Sequence, residues 1–247
     1  MKNPFLDFRF YPHQREEIPL KRFLSQKKDL LDRLMQGYLR MMAVGIKDVL
    51  RHLELEISLE AYGGAVAGLQ GLRFFQEDIE DFLHGVKAFQ SGSSVTPAPL
   101  GIYLSALVNQ SQDDFMALGL RDHGLTCDCL GYRLREGKTL ILQGHGGDFV
   151  GSGLAGGCLV VEGSIGDWGG AGMKKGELLI SGRAGLKTGE WMKGGEIRVD
   201  GWIGGTGKSI YGGRIYRKGD LIFPGGQRNG GLGCDLLRRH RAGDDSH

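Results

Sequence analysis

Four stretches of this chain superpose without a gap: TLILQGHGG (139–147), CLVVEGSIG (158–166), ELLISGRAG (177–185) and EIRVDGWIG (196–204). They bring Gly144, Gly163, Gly182 and Gly201 into one column at a constant step, and Gly147, Gly166, Gly185 and Gly204 into a second at the same step. Between the columns, Leu140/Leu142, Leu159/Val161, Leu178/Ile180 and Ile197/Val199 alternate with other residues. A period of two marks a strand buried on one face. Its return at a fixed interval predicts stacked coils in parallel register, a parallel β-helix. A coil of about 19 residues has to bend sharply several times, and glycine returns where the bend resists a Cβ. That gives the 44 glycines of this 247-residue chain, against six prolines, a structural cause.

Working outward, Met173 and Met192 stand in equivalent positions, with Leu154 before them and Tyr211 after, and are expected to form a further apolar column. Gly213 to Gly219 fits the strand template with one residue deleted, which puts Arg217 where Val199 stood. DLIFPG (220–225) reads as a closing strand. An inward arginine or a prolyl edge would blunt the open end of the stack. The tail 226–247, ending RRHRAGDDSH, reads as mobile.

Before the repeat the period changes to that of a helix. Leu31, Met35, Tyr38, Met42, Ile46, Val49 and Leu53 recur at steps of four and three and predict an amphipathic helix over 27–53. A second is predicted from Phe75, Ile79, Phe82, Val86 and Phe89, with Glu77, Asp78, Glu80 and Asp81 towards the amino end that the helix dipole favours for acids. The aromatic and methionine stripes are read as core packing. QSGSSVTPAP (90–99) reads as a linker, and Ser111 with Asp113 and Asp114 as the cap of a short helix through Leu118. The organisation expected is α+β: a helical domain and linker over 1–100, a β-helix over 101–225 and the tail.

Thirty-one basic against 29 acidic side chains leave a formal net charge of +2, so no global field favours nucleic acid or anionic lipid. No stretch approaches 18 uninterrupted apolar residues, and the amino terminus lacks the apolar core of a signal peptide. Cys127, Cys129, Cys158 and Cys234 make no disulfide framework. A reducing cytoplasm is the expected setting.

The segments GDWGGAGMKKGELLISGRAG (166–185) and TGEWMKGGEIRVDGWIGG (188–205) resemble the GXGXG repeat family, which includes the carboxy-terminal domain of the glutamate synthase large subunit and the C-type subunit of formylmethanofuran dehydrogenase. The resemblance covers roughly residues 131–225. It implies a right-handed, single-stranded β-helix that acts as a structural module beside catalytic domains or subunits and holds no flavin, iron–sulfur cluster or substrate itself. On that resemblance the chain is expected to be a non-catalytic scaffold of a multi-subunit oxidoreductase, with protein subunits or its own copies as partners and no cofactor.

Several local strings compete with that reading. GSGLAG (151–156) satisfies G-x-G-x-x-G but opens no helix, and GTGKS (205–209) resembles a phosphate loop whose first glycine position holds Trp202. Both lie in repeat register, and neither is expected to bind a nucleotide. Asp148 and Asp167 share a column one coil apart, with Phe149 and Trp168 stacked beside them; the pair suits sugar chemistry or a hard cation, or is a pair of solvated turn residues. A carbohydrate-active β-helix enzyme is therefore the alternative to a scaffold, as is an autonomous oligomerisation module. Against the enzyme stands the lack of a third stacked carboxylate. His123, Cys127 and Cys129 form H-x3-C-x-C, three ligands for a soft metal with His145 as the candidate fourth, or otherwise a pair of buried or half-buried thiols. Trp168, Trp191 and Trp202, at the coil corners, read as interface candidates. No catalytic, cofactor or metal residue is assigned.

Overall fold

A computed structural model describes residues 20–43, 55–90 and 97–224. Four helices come first: α1 (Leu20–Ala43), α2 (Leu55–Leu69), α3 (Gln76–Gln90) and α4 (Pro97–Gln110). Seven strands follow, β1 (Phe115–Leu118), β2 (Thr139–Leu142), β3 (Ala155–Val161), β4 (Lys175–Ile180), β5 (Lys193–Val199), β6 (Gly212–Arg217) and β7 (Asp220–Pro224), with one turn of helix, α5 (Leu120–His123), after β1. The strands form a single sheet in chain order, parallel from β1 to β6. This is a parallel β-solenoid preceded by a helical region.

The strand register places Leu140, Leu159, Leu178, Ile197 and Ile215 in one column, all fully buried. Each such side chain contributes about 1.5–3 kcal/mol of burial, and stacking repeats that gain once per coil. Leu154, Met173 and Met192 form the second apolar column, also fully buried. Tyr211, expected to extend it, is 70% exposed instead, since among the described residues no further coil lies above it to complete the column. Arg217 does pair with Val199, but its side chain is exposed. Strand β7 closes the sheet antiparallel to β6.

The helical region departs from its expectation in three ways. Helix α1 begins at Leu20, earlier than predicted, and turns Leu34, Tyr38 and Met41 inward; positions 44–53 of the predicted helix lie outside the described residues, as do Gly225 of the predicted closing strand and the tail 226–247. Helix α2, LEISLEAYGGAVAGL, was not anticipated, since its three glycines each cost about 1 kcal/mol relative to alanine. Packing against α4 and α1 overrides that propensity. Helix α4 starts at Pro97, within the expected linker; proline suits a first helical turn, where its missing N–H is no loss.

The short helix expected after Ser111 is instead strand β1. Met116 and Leu118 pair with Leu140 and Leu142 and are fully buried, so the tertiary ladder decides the conformation. The Ser111 hydroxyl does accept a backbone N–H, but that of Asp113 in a turn. The strand's Ala117 N–H donates to Gln76 Oε1 of α3, which covers the sheet edge. Across the first coil lies α4. Ser105 Oγ accepts the Tyr132 N–H at 3.0 Å, and Asn109 Oδ1 accepts the Arg135 N–H at 3.0 Å. At Gly101 a Cβ would sit 1.8 Å from the Asp128 carbonyl oxygen, so the contact needs glycine. One continuous apolar core joins the helices to the coils. Among the described residues no helix is long and apolar enough to cross a membrane.

Lys138, only 7% exposed, ties this junction together. Its ammonium donates to the carbonyls of Ser111 (2.9 Å) and Asp113 (2.7 Å) and pairs with Asp114 at 3.0 Å. Lys138→Met would keep the apolar stem but leave those carbonyls without a donor. The expected loss is about 1–3 kcal/mol in chemical denaturation.

Candidate functional site

One corner of the solenoid collects most of the residues that the sequence marks as chemical. In each coil an aspartate precedes a residue at positive φ: Asp128 then Cys129 (φ 61°), Asp148 then Phe149 (58°), Asp167 then Trp168 (63°), with Leu186 and Lys187 (56°) closing the series. Each aspartate reaches across to the next coil. Asp128 Oδ1 accepts the Asp148 N–H at 2.8 Å, Asp148 Oδ1 the Asp167 N–H at 2.8 Å, and Asp167 Oδ1 the Leu186 N–H at 2.7 Å. The stack therefore has a third carboxylate, Asp128, contrary to expectation. Its step to Asp148 is 20 residues rather than 19, which hid it from the repeat alignment.

The ladder explains three of the four glycines of the second column; the fourth, Gly204, faces the backbone of Gly185 and Leu186 instead. A Cβ on Gly147, Gly166 or Gly185 would lie 1.9, 2.0 or 2.2 Å from Oδ1 of Asp128, Asp148 or Asp167. Carboxylate and glycine are thus one device, repeated. Like charges one coil apart, at about 4.8 Å, repel by roughly 1 kcal/mol in water. A hydrogen bond to a charged acceptor is worth about 1.5–3 kcal/mol, so the ladder holds. Burial pushes the Asp128 carboxyl up, the Asp148 N–H bond opposes this, and the Asp148 charge adds to the rise.

Beside the carboxylates the aromatic rings stack along the axis. Phe149 and Trp168 lie 5.4 Å apart at an interplanar angle of 11°, and Trp168 lies 5.0 Å from Trp191. The Lys187 ammonium sits 3.9 Å from the Trp168 ring centroid. Phe149 comes from the coil before Trp168, and Lys187 and Trp191 from the coil after, so both ring faces are covered. A non-glycine residue in the left-handed region costs about 1–2 kcal/mol. Aromatic stacking returns about 0.5–1.5 kcal/mol per pair, which accounts for Phe149 and Trp168 at that position. Trp202 stands apart from this stack and is 57% exposed.

A second ladder runs along another edge: His145 Nδ1 accepts the Ser164 N–H, and Ser164 Oγ accepts the Arg183 N–H, each at 3.0 Å. His145 is thereby occupied away from the cysteines. Cys127 and Cys129 are buried free thiols, both pushed far up by burial and further by the Asp128 charge, so neither is a ready thiolate. Cys158 is disulfide-bonded. His123 packs its ring against His84 at 4.5 Å, and burial, then the charge of His84, lowers its pKa. Among the described residues no group of three or more His, Cys, Asp or Glu is placed to hold a metal ion.

The nucleotide-like strings are occupied from within. Glu190, only 5% exposed, accepts the N–H of Lys208 at 3.0 Å and of Ser209 at 2.8 Å, filling the place a phosphate would take at GTGKS. Burial pushes this carboxyl up, but the two amides and the Ser209 hydroxyl outweigh it and the net shift is downward. Glu190 escaped the sequence reading because the groups it binds lie 18 and 19 residues further on. In GSGLAG, the amides of Gly151, Gly153 and Ala155 donate to the carbonyls of Leu130, Ala171 and Leu134, and the string leads into β3.

If carboxylate and glycine form one device, their substitutions must be coupled. Gly166→Ala is expected to destabilise the chain by about 2–4 kcal/mol. In an Asp148→Ala background the same change should cost at least about 1 kcal/mol less, read as the coupling in a double-mutant cycle of denaturation midpoints. No protein-family model, no curated protein and no solved structure matches this chain.

Proposed function

We propose that this chain is a non-catalytic scaffold, a subunit or domain that holds other proteins of a multi-subunit oxidoreductase in the manner of the GXGXG repeat family. The single observation that carries the reading is the engagement of Asp128, Asp148, Asp167, His145 and Glu190 as acceptors for backbone amides of a neighbouring coil. Groups so held serve the ladder. In this reading the coils are right-handed and of about 19 residues each, stacked as in other solenoids, as the resemblance over 131–225 implies. The cytoplasmic setting has its support in the buried thiols Cys127 and Cys129, while the bonded Cys158 counts against it.

The carbohydrate-active alternative needs an open aromatic platform beside a carboxylate pair. The covered faces of Trp168 count against it. A third stacked carboxylate removes one objection to it without freeing any carboxylate from its amide.

Reconstitution separates these readings. The chain is expected to show no turnover alone, to enter a stoichiometric complex with flavin- and amidotransferase-type or metal–pterin- and amidohydrolase-type subunits, and to be required for that complex's activity. Asp148→Asn, which keeps an oxygen acceptor, should leave the complex's activity within about twofold. Turnover by the chain alone, abolished by Asp148→Asn, would contradict the proposal.

A further inference from the structure

The outer face of the sheet is more buried than the described elements explain. In β3 the inward column holds Leu159 and Val161, so alternation turns Cys158 and Val160 to the opposite face of the strand. Yet Cys158 is only 7% exposed and Val160 9%. The helices pack at the first coil, α3 on β1 and α4 across residues 128–135. Among the described residues no helix packs on β3, β4 or β5 as α3 does on β1. Ser181 and Asp200, which directly follow β4 and β5, also have interaction partners.

Cys158 is disulfide-bonded, whereas Cys127 and Cys129 are free thiols. The chain holds four cysteines, which leaves Cys234 as the other half of the bond. We infer that Cys158 is joined to Cys234, and that this bond straps the carboxy-terminal segment across the outer face of β3 to β5 as a cover that a dithiol reductant releases. The inference goes beyond the scaffold reading and does not rest on it.

Reach, apolar character and charge all suit this occupant. The register puts Cys158, Glu177, Glu196, Arg214 and Pro224 in one row across the sheet. Four strand spacings, roughly 19 Å, therefore separate Cys158 from the end of β7. Cys234 follows Pro224 by ten residues. An extended segment of that length reaches about 33 Å, so it spans the row with slack. Leu232, Leu236 and Leu237 bracket Cys234, and the face offers Val160 flanked by the partly buried Ile141 and Leu179. Arg238 and Arg239 come next in the segment, with Glu177 and Asp200 as acids on the sheet side.

Release is thiol–disulfide exchange. One thiolate of the dithiol attacks a sulfur of the Cys158–Cys234 bond, and the other cysteine leaves as a thiolate and takes up a proton. The second thiolate of the reductant then displaces the first cysteine. The S–S bond of the protein is traded for one within the reductant, and two electrons and two protons pass to Cys158 and Cys234. A disulfide of the same class runs the exchange backwards.

Alkylation of the denatured, unreduced full chain, followed by peptide mass spectrometry, reads the pairing. Cys127 and Cys129 should carry the alkyl group, and the peptides of Cys158 and Cys234 should be joined within one chain. The native chain with and without dithiothreitol then reads the strap. Reduction should raise tryptic cleavage at Arg238 and Arg239 about tenfold. It should also let Cys158 react with a maleimide about tenfold faster than the buried Cys127. Cys234→Ser should show both effects without reductant, and the far-UV circular dichroism should stay unchanged throughout. Free thiols at Cys158 and Cys234 in the air-purified chain, or a bond to Cys127, Cys129 or another copy, would overturn the inference. So would cleavage and labelling rates that neither reduction nor Cys234→Ser alters. Loss of the circular dichroism signal on reduction would overturn it too, since the bond would then hold the solenoid itself and not a cover.

Discussion

Everything in the solenoid depends on satisfying the backbone at its corners. Strand amides find partners automatically in a parallel ladder, but a chain that bends several times per coil turns some N–H groups away from any carbonyl, and at these exposed corners a hydrogen bond to a charged acceptor is worth about 1.5–3 kcal/mol. Here the shortfall is met by side chains that reach to the next coil. Asp128, Asp148 and Asp167 serve one edge, His145 and Ser164 another, and Glu190 the last coil. Because the carboxylate occupies the space of a Cβ, glycine must follow it in register. The second glycine column is therefore mostly the trace of a hydrogen-bonding requirement, while the first is set by the preceding coil's backbone, since a Cβ on Gly163, Gly182 or Gly201 would lie 2.2, 2.7 or 2.3 Å from the carbonyl oxygen of the glycine one coil before.

The same reasoning governs the ends. A stack of coils exposes unpaired edges and apolar columns wherever it stops. At the first coil the chain's own helices answer the need, with α4 lying across residues 128–135 and Gln76 accepting from the edge of β1. The helical region is thus continuous with the solenoid core. At the other end β7 turns back antiparallel, with a register irregularity opposite Ile215 and Tyr216 and a closing proline, both of which discourage further strand addition.

How much of this was legible in the sequence follows from spacing. Where the step is constant, as from Leu140 to Ile197, strands, columns and even the Arg217 register could be read directly. Strand β1 was missed because Met116 and its partner Leu140 are set further apart along the chain than the partners of later coils, the extra length holding α5 and the loop that carries Cys127 and Cys129. Asp128 was lost to a single extra residue. Helix α2 was masked by Gly63, Gly64 and Gly68, whose low propensity is overridden only by packing that a one-dimensional reading does not contain. Asp148, Asp167, Phe149 and Trp168 were correctly placed in one column, but their availability was not legible, since it depends on which amides and rings the neighbouring coils present.

Amide hydrogen exchange tests the central claim, that the corner carboxylates are committed to the backbone. The account predicts that the N–H groups of Asp148, Asp167 and Leu186 exchange as slowly as the strand amides of Leu159 and Leu178, because each is held by the aspartate of the preceding coil. Exchange at the rate of an open turn at those three positions, with the strands still protected, would mean that the carboxylates are free, and would contradict it.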